Sequence, residues 1–144
     1  MGHVGLTPQS IHQFGGYKVQ GKTFLDSKQV KQDAKDLQKA GAFSLVLEGI
    51  PQELATEITH DLKIPTIGIG AGSKCDGQIL VAHDLLGLNP EFTPKFVKHY
   101  AELSDVIQNA VTEFIDEVHS EVFPGPEHTY SLKKGALKKV SHDR

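Results

Sequence analysis

The sequence has very little cysteine, since Cys75 is the single one among 144 residues. A disulfide within the chain is therefore excluded, and we expect a reducing compartment, which indicates the cytoplasm. Cys75 follows Lys74 in a polar stretch, and a neighbouring ammonium group would lower the pKa of its thiol. An unreactive surface thiol is the simpler interpretation, and the sequence assigns Cys75 no role.

Long apolar runs and basic stripes are also missing. No apolar run approaches the roughly 18 residues of a membrane-spanning helix, and the N-terminus lacks a signal-peptide pattern. The chain has 15 Lys and Arg and 18 Asp and Glu, which are interleaved. We therefore expect neither nucleic acid nor a membrane as a partner. The composition favours one globular domain over residues 1–130, followed by a flexible basic tail over 131–144.

The stretch from Phe43 to Pro51 organises the chain. An apolar run of strand length ends in Glu48, a glycine follows at once, and a helical pattern then begins. Strands buried on both faces of a parallel sheet are near-continuous apolar runs. Because a charge inside such a run is costly, we expect Glu48 where the strand leaves the sheet. Strand ends of this kind line the active sites of βα proteins, so Glu48 is a candidate catalytic residue. The alternative is a first solvated loop residue.

Helical and strand patterns alternate along the rest of the chain. The first predicted elements are a short helix near Pro8, a helix from Asp26 or Ser27 to Lys39, a strand over 43–47 and a helix over 52–62. They are followed by a strand from Ile64, a third strand over 79–84, and a helix that Thr93 caps and that runs from Pro94 to about His119 or Glu121. This alternation predicts an α/β fold with a parallel sheet and helices outside. The last helix would span roughly 40 Å, so part of its apolar stripe could contact another subunit.

Two further strand ends carry glycines or polar residues. The turn from Gly68 to Gly72 either binds an anion through its amides or only allows close backbone packing. It is not a Walker loop, because no Gly-Lys-Ser/Thr follows. His83 and Asp84 are adjacent, so they would face opposite sides of a strand. We expect His83 to be a buried, hydrogen-bonded histidine. The role of Asp84 stays open, since it could equally cap a turn that leads through Gly87.

Several short motifs follow one another along the chain with short gaps. They are GHVGLTPQS at 2–10, GGYKVQG at 15–21, LVLE at 45–48, IGIGAG at 67–72, DGQILV at 76–81, and FP at 123–124 with EH at 127–128. Together they resemble the ketopantoate hydroxymethyltransferase family, from residue 3 to about residue 130.

The resemblance implies a (βα)₈ TIM barrel of the phosphoenolpyruvate/pyruvate superfamily. It implies transfer of a hydroxymethyl group from 5,10-methylenetetrahydrofolate, the co-substrate, to the 2-oxo acid 3-methyl-2-oxobutanoate. The product is 2-dehydropantoate, which leads to pantothenate and coenzyme A. The family's proton acceptor closes its sixth strand and corresponds to Glu48. A family histidine that ends strand five and lines the substrate site corresponds to His3. Mg²⁺ and homo-oligomers of barrels are also implied.

The chemistry implied by the resemblance fits the position of Glu48. A carbon next to a ketone must lose a proton to become a nucleophilic enolate, and a carboxylate in a partly dry pocket can accept that proton. In the family, a metal ion polarises the keto oxygen and stabilises the enolate.

The length of the chain departs from the family. A whole barrel takes about 250 residues, roughly 100 more than are present. Nothing corresponds to the first four strands, which carry the family's magnesium-binding acids and a substrate-binding lysine. We therefore expect the C-terminal half, about strands five to eight, without metal ligands, as a truncated form, a partial gene product or a piece of a split protein. A complementing N-terminal half would restore activity.

Two other interpretations stay open. One is a non-catalytic barrel remnant that serves as an oligomerisation or binding module. The other is an unrelated half-barrel that binds phosphate through the turn from Gly68 to Gly72.

Overall fold

The core of the chain is a parallel sheet. The computed structural model describes residues 1–10, 15–89 and 92–132. Within these ranges the sheet has four strands, β1 (Gly2–Gly5), β2 (Leu45–Glu48), β3 (Thr66–Ile69) and β4 (Gly77–Gln78). Their spatial order is β1-β2-β3-β4, and each neighbouring pair is parallel. The predicted parallel α/β architecture is confirmed. Most of the predicted basic tail, residues 133–144, lies outside the described ranges.

Two helices pack on one face of the sheet. Helix α1 (Phe24–Lys39) begins slightly earlier than predicted, because the side chain of Thr23 accepts the Asp26 N–H at 3.1 Å and caps it. It ends before Gly41, which has φ 92° as expected for a helix terminus. Helix α2 (Gln52–Asp61) starts directly after Pro51. A single 3₁₀ turn, Pro8–Ser10, stands at the predicted short helix.

The hydrophobic core lies between the sheet and these helices. Leu45 and Leu47 of β2 are fully buried there, because alternate strand residues point to the same face. The core residues are Val4, Val30, Ala34, Leu45, Leu47, Ile50, Leu54, Ala55, Ile58 and Ala71. Val46 and Glu48 alternate with the two leucines, so they point to the opposite face of the sheet.

The third predicted strand is wrong in its position. Strand β4 is only Gly77–Gln78, and most of the apolar run that follows it lies outside the sheet. Residues Ala82–Leu85 instead form a short helix, α3, in which the Leu85 N–H donates to the Val81 carbonyl at 2.9 Å. Short apolar runs do not distinguish a strand from a helix by periodicity. His83 is consequently exposed rather than buried.

The predicted start of the longest helix is also wrong. Helix α4 is Ser104–His119, about 24 Å long, and the described residues from 92 to 103 are turns and irregular chain. The Tyr100 N–H donates to the carbonyl of Leu85 at 2.9 Å, which is incompatible with a continuous helix there. No helix among the described residues is both long enough and apolar enough to span a membrane.

The chain divides into two units, residues 1–101 and 102–144. The second unit contains α4 and a 3₁₀ turn, Pro126–His128. Within it, the ring of Phe123 packs against Phe114 at 5.5 Å and against His128 at 5.0 Å between centroids. Apolar side chains of α4 are exposed at Val106, Ile107, Val111, Phe114, Ile115 and Val118.

Candidate functional site

Glu48 is the last residue of β2, an inner strand of the sheet. It lies opposite Gly5 of β1 and Ile69 of β3 in the strand register. Its carbonyl accepts the Leu6 N–H at 2.8 Å, and the next residue, Gly49, donates its N–H to the Ile69 carbonyl at 2.9 Å. The backbone around Glu48 is therefore held from both sides. The prediction that this residue closes a strand is confirmed.

The carboxylate of Glu48 points away from the two covering helices. Leu45 and Leu47 face those helices, so the alternation of the strand directs Glu48 to the other face. Its side chain is 21% exposed. The alternative of a first solvated loop residue is wrong, because Glu48 belongs to the strand and is largely buried.

His3 lies on the neighbouring strand and contacts Glu48. In the register it is paired with Val46, which shares a face with Glu48. The His3 Nε2 atom lies 3.0 Å from Glu48 Oε2, and the side chain of His3 is 31% exposed. Nε2 is buried, yet it has no hydrogen bond of good geometry to any described residue. The contact is therefore a close polar contact with poor alignment. The structure brings together the two residues that the resemblance singled out.

The pKa of Glu48 is raised above its ordinary value of 4.5. The main cause is burial, which disfavours the charged carboxylate, and the adjacent His3 opposes the rise through its charge and its polar contact. A carboxylate with a raised pKa is a stronger base, so it accepts a proton more readily near neutral pH.

Two glycines allow the chain to pass close to Glu48. Gly5 has φ 92°, and a Cβ atom there would lie 2.2 Å from the carbonyl oxygen of Glu48. Gly49 has φ 57°, and a Cβ atom there would lie 3.2 Å from the Leu6 side chain. Its carbonyl also accepts the Gln20 N–H at 2.9 Å. Sequence reasoning did not assign these supporting residues, although each glycine lies within or beside one of the motifs.

The glycine turn after β3 is explained by packing. Gly70 has φ 63°, and an added Cβ atom would lie 2.8 Å from the ring of Phe96. Gly72 has φ 79°, and an added Cβ atom would lie 2.4 Å from the Cβ of Gln52. The space beside both glycines is thus filled by neighbouring side chains. This geometry favours the packing interpretation of the turn over anion binding.

Cys75 lies in a polar network at the other end of the sheet. The side chain of Thr66, the first residue of β3, contacts Thr59 Oγ1 at 2.8 Å, and Asp76 Oδ2 accepts the Thr66 N–H at 2.8 Å. Burial raises the pKa of the Cys75 thiol, which argues against the alternative that Lys74 lowers it. The network lies away from Glu48, because Glu48 pairs with Ile69 at the opposite end of β3.

The described residues do not form a complete metal site. No three or more of its His, Cys, Asp and Glu side chains are grouped as metal ligands would be. Mg²⁺ prefers a near-octahedral set of oxygen ligands, and Glu48 with His3 does not supply one. His83 and Asp84 lie in α3, outside the sheet.

Comparison with known proteins identifies the family. Residues 1–126 match the sequence profile of the family described as ketopantoate hydroxymethyltransferase. The 3-methyl-2-oxobutanoate hydroxymethyltransferase of Syntrophotalea carbinolica is 58% identical over 131 residues, which are 91% of this chain and 49% of that protein. The proteins of the same name from Clostridioides difficile and Enterococcus faecalis are 51% and 54% identical over 140 residues, 97% of this chain and 51% of each relative.

The chain spans about half the length of the curated relatives that it matches. The matched residues include His3, Glu48 and the entire sheet. The chain therefore belongs to the ketopantoate hydroxymethyltransferase family.

Proposed function

We propose that this chain is the C-terminal half, about strands five to eight, of a (βα)₈ barrel that makes 2-dehydropantoate from 3-methyl-2-oxobutanoate and 5,10-methylenetetrahydrofolate. The whole enzyme would be a cytoplasmic homo-oligomer. One observation carries the proposal: a largely buried carboxylate, that of Glu48, ends an inner parallel strand and lies 3.0 Å from His3. The relatives, named for hydroxymethyl transfer to this oxo acid, support the substrate.

Glu48 is the proton acceptor of the proposed reaction. Its carboxylate takes the proton from the carbon next to the ketone of the oxo acid, and the electron pair of that C–H bond becomes the enolate. The enolate carbon then forms the new bond to the one-carbon unit of 5,10-methylenetetrahydrofolate. The two bonds from that carbon to the folate nitrogens break, water supplies the new hydroxyl group, and tetrahydrofolate leaves with the proton from Glu48 and one from the water. The strand fixes the direction of the carboxylate, and the raised pKa of Glu48 suits a base that works near neutral pH.

His3 is the substrate ligand in this proposal. Its Nε2 atom is buried without an aligned hydrogen bond among the described residues, so a substrate oxygen could become its partner. An unsatisfied buried nitrogen is costly, and a bond to the substrate would remove that cost. His3→Ala should therefore raise KM more than it lowers kcat.

The implied Mg²⁺ has no part in the steps assigned to these residues. In the family such an ion would polarise the keto oxygen. Its ligands are proposed to come from the half of the relatives that this chain does not span.

Complementation tests the proposal. The chain is mixed with the part of the Enterococcus faecalis relative that precedes its matched region, and formation of 2-dehydropantoate is measured with and without Mg²⁺. We expect turnover only when both pieces are present, and we expect Glu48→Gln to remove it. Two folded pieces that associate but produce nothing would contradict the proposed function.

A second candidate function follows from α4. Its exposed apolar side chains, among them Ile107, Val111 and Phe114, favour a non-catalytic oligomerisation module. Sedimentation of the chain, followed by titration of the complemented pieces with 3-methyl-2-oxobutanoate, separates the two functions. A stable assembly that never binds the oxo acid would favour the module.

A further inference from the structure

An apolar pocket opens at the carboxyl ends of β3 and β4. Its lining includes Gly70, the residue directly after β3, and Ile79, the residue directly after β4. Ile79 is held against the sheet, because its N–H donates to the Gly68 carbonyl at 3.0 Å. Glu48 ends the adjacent strand and pairs with Ile69, so the pocket begins one strand away from it, about 5 Å across the sheet. The pocket and the proposed base therefore share one edge of the sheet.

Aromatic side chains form one wall of this pocket. Its volume is about 340 Å³, which is within the range of cavities that bind small molecules, and its lining includes Phe96 and Tyr100. Phe96 is 42% exposed and Tyr100 is 67% exposed, so both rings present apolar surface to solvent. Flat surfaces of this kind favour stacking with the ring of a ligand.

The aromatic wall is held in place by contacts with the rest of the fold. The ring of Phe96 occupies the space beside Gly70, where an added Cβ atom would lie 2.8 Å from the ring. The Tyr100 N–H donates to the Leu85 carbonyl at 2.9 Å. These contacts fix the positions from which the two rings extend. A ligand would therefore meet a preformed surface, which lowers the entropic cost of binding.

The pocket is positively charged. Lys98 is the one charged side chain among the described residues that line it. Its Nζ atom lies 4.8 Å from the centroid of the Tyr100 ring, a cation–π distance that holds the ammonium group over the aromatic wall. The pocket thus combines ring-binding surface with one cation. This combination fits an aromatic ligand that carries a carboxylate.

We propose that this pocket binds the p-aminobenzoyl-glutamate portion of 5,10-methylenetetrahydrofolate. The aminobenzoyl ring stacks on Phe96 and Tyr100, and a carboxylate of the glutamate pairs with Lys98. This inference rests on the proposed function, which supplies the co-substrate. In that molecule the aminobenzoyl ring is attached to one of the two nitrogens that hold the one-carbon unit. A ring bound one strand away from Glu48 therefore brings this unit beside the enolate carbon.

The groove between α1 and α2 suits the same ligand less well. Two lysines in its lining already have partners, since Lys31 pairs with Glu57 and Lys35 pairs with Asp61. The groove also lies on the helices, which cover the face of the sheet opposite to the Glu48 carboxylate. A ligand bound there would keep its reactive carbon away from the base.

Titration with p-aminobenzoyl-glutamate tests the pocket. The ligand is added to the isotope-labelled full chain, and the backbone amide signals are followed by NMR. We expect saturable shifts at Gly70, Lys98 and Tyr100. Free glutamate has the carboxylates without the ring, so it should leave these signals unchanged at the same concentrations.

Two variants separate the contributions of charge and ring. Lys98→Gln should weaken binding about threefold, because an exposed ion pair contributes little, and Phe96→Leu should weaken it about fivefold, because one stacking ring is lost. The matched control Lys63→Gln removes an exposed charge before the other end of β3 and should leave the affinity unchanged. Both Phe96 and Lys98 are exposed, so these variants should keep the fold, which thermal unfolding verifies.

Kinetics of the complemented enzyme add a second readout. Lys98→Gln should raise KM for 5,10-methylenetetrahydrofolate about threefold and leave KM for 3-methyl-2-oxobutanoate unchanged. A general structural defect would instead alter both constants.

Four outcomes would overturn the proposal. They are the absence of saturable shifts with p-aminobenzoyl-glutamate, equal shifts with free glutamate, unchanged affinity in Lys98→Gln or in Phe96→Leu, and shifts at Gly70 and Tyr100 that depend on chain concentration without ligand. The last result would make a second copy of the chain the occupant. Binding with the expected properties by a complemented enzyme that makes no 2-dehydropantoate would leave the pocket assigned and count against the proposed function alone.

Discussion

The two faces of the sheet carry different kinds of residue, although they alternate along the same strands. On the helix face, Leu45 and Leu47 are fully buried in a continuous apolar core. On the opposite face, the same strand presents Glu48, which contacts His3 of the neighbouring strand. Packing on the first face holds the strand in register, and the register places the polar pair on the second. The alternation of a four-residue strand thus separates the apolar core from the pair that is proposed to act on the substrate.

This separation predicts opposite effects for neighbouring residues. A change on the helix face should act mainly on the free energy of unfolding, while a change on the opposite face should act mainly on turnover. A residue that alters both quantities equally would break the comparison.

Glu48→Gln should give the largest effect. The amide keeps the shape of the side chain but cannot accept the substrate proton, so we expect kcat of the complemented enzyme to fall about 10²–10⁴-fold. Steady-state kinetics with 3-methyl-2-oxobutanoate measure this, and KM should change little. The control is Glu57→Gln, which removes an exposed carboxylate paired with Lys31 on the helix side and should leave kcat unchanged. Near-normal turnover in Glu48→Gln would refute the assignment of the base.

Leu47→Ala should give the next largest effect, on stability. Leu47 is fully buried, so its truncation leaves a cavity and should lower the free energy of unfolding by about 2–5 kcal/mol. Denaturant unfolding of the chain measures the loss. Leu25→Ala makes the same change at a side chain that is 75% exposed and should stay within about 0.5 kcal/mol of wild type. Equal losses in the two variants would mean that the core is not where the structure places it.

The sequence predicted the helix face and the end of β2 because both depend on local patterns. Val30 and Ala34 recur at helical spacing, and a charge at the end of an apolar run fixes where Glu48 leaves the sheet. The position of His3 followed from the motif resemblance alone. Its contact with Glu48 joins residues far apart in sequence, and only the pairing of β1 with β2 brings them together.

The sequence failed where tertiary contacts override a local pattern. The apolar run after Gln78 reads as a strand, but the chain turns into α3 and leaves His83 exposed. The pattern from Phe96 to Tyr100 predicts a helix, but these residues form irregular chain and contact other parts of the fold. Phe96 lies against Gly70, and the Tyr100 amide bonds to Leu85. Such contacts leave no periodic signal in the sequence.

Thr66 is a polar exception on the helix face and gives a smaller effect. It is fully buried, its hydroxyl lies 2.8 Å from Thr59 Oγ1, and it donates to Asp76 Oδ2 at 3.1 Å. Thr66→Val keeps the volume but removes these bonds, so the free energy of unfolding should fall by about 1–2 kcal/mol. Thr56→Val removes only an exposed bond to the Gln52 carbonyl, at 2.7 Å, and should cost less. The free energies of unfolding of both variants are measured under the same conditions. An equal loss in the two variants would mean that the buried hydroxyl of Thr66 contributes no more than the exposed hydroxyl of Thr56.

The pH dependence of stability gives the smallest effect and sharpens the comparison most. Because burial raises the pKa of Glu48 above 4.5, the folded chain holds this proton more tightly than the unfolded chain. The stability contributed by this group is therefore complete below pH 4.5 and is lost as the pH rises through the folded pKa. The glutamine of Glu48→Gln cannot titrate. The free energy of unfolding of this variant should therefore rise relative to that of wild type as the pH increases from about 4 to about 7.

Glu53 on α2 provides the control of opposite sign. Its own backbone N–H and the amide of Gln52 lower its pKa below 4.5, so its contribution is present at neutral pH and is lost as the pH falls. Glu53→Gln should therefore lose stability relative to wild type as the pH rises from the lowered pKa of Glu53 to about 4.5, and the difference should then stay constant up to pH 7. Urea unfolding at a series of pH values measures both differences. The free energies of unfolding of the two variants, each relative to wild type, should change in opposite directions with pH. If they change in the same direction, the carboxylate of Glu48 is as solvated as one on the helix surface. The two faces of the sheet would then not differ at Glu48.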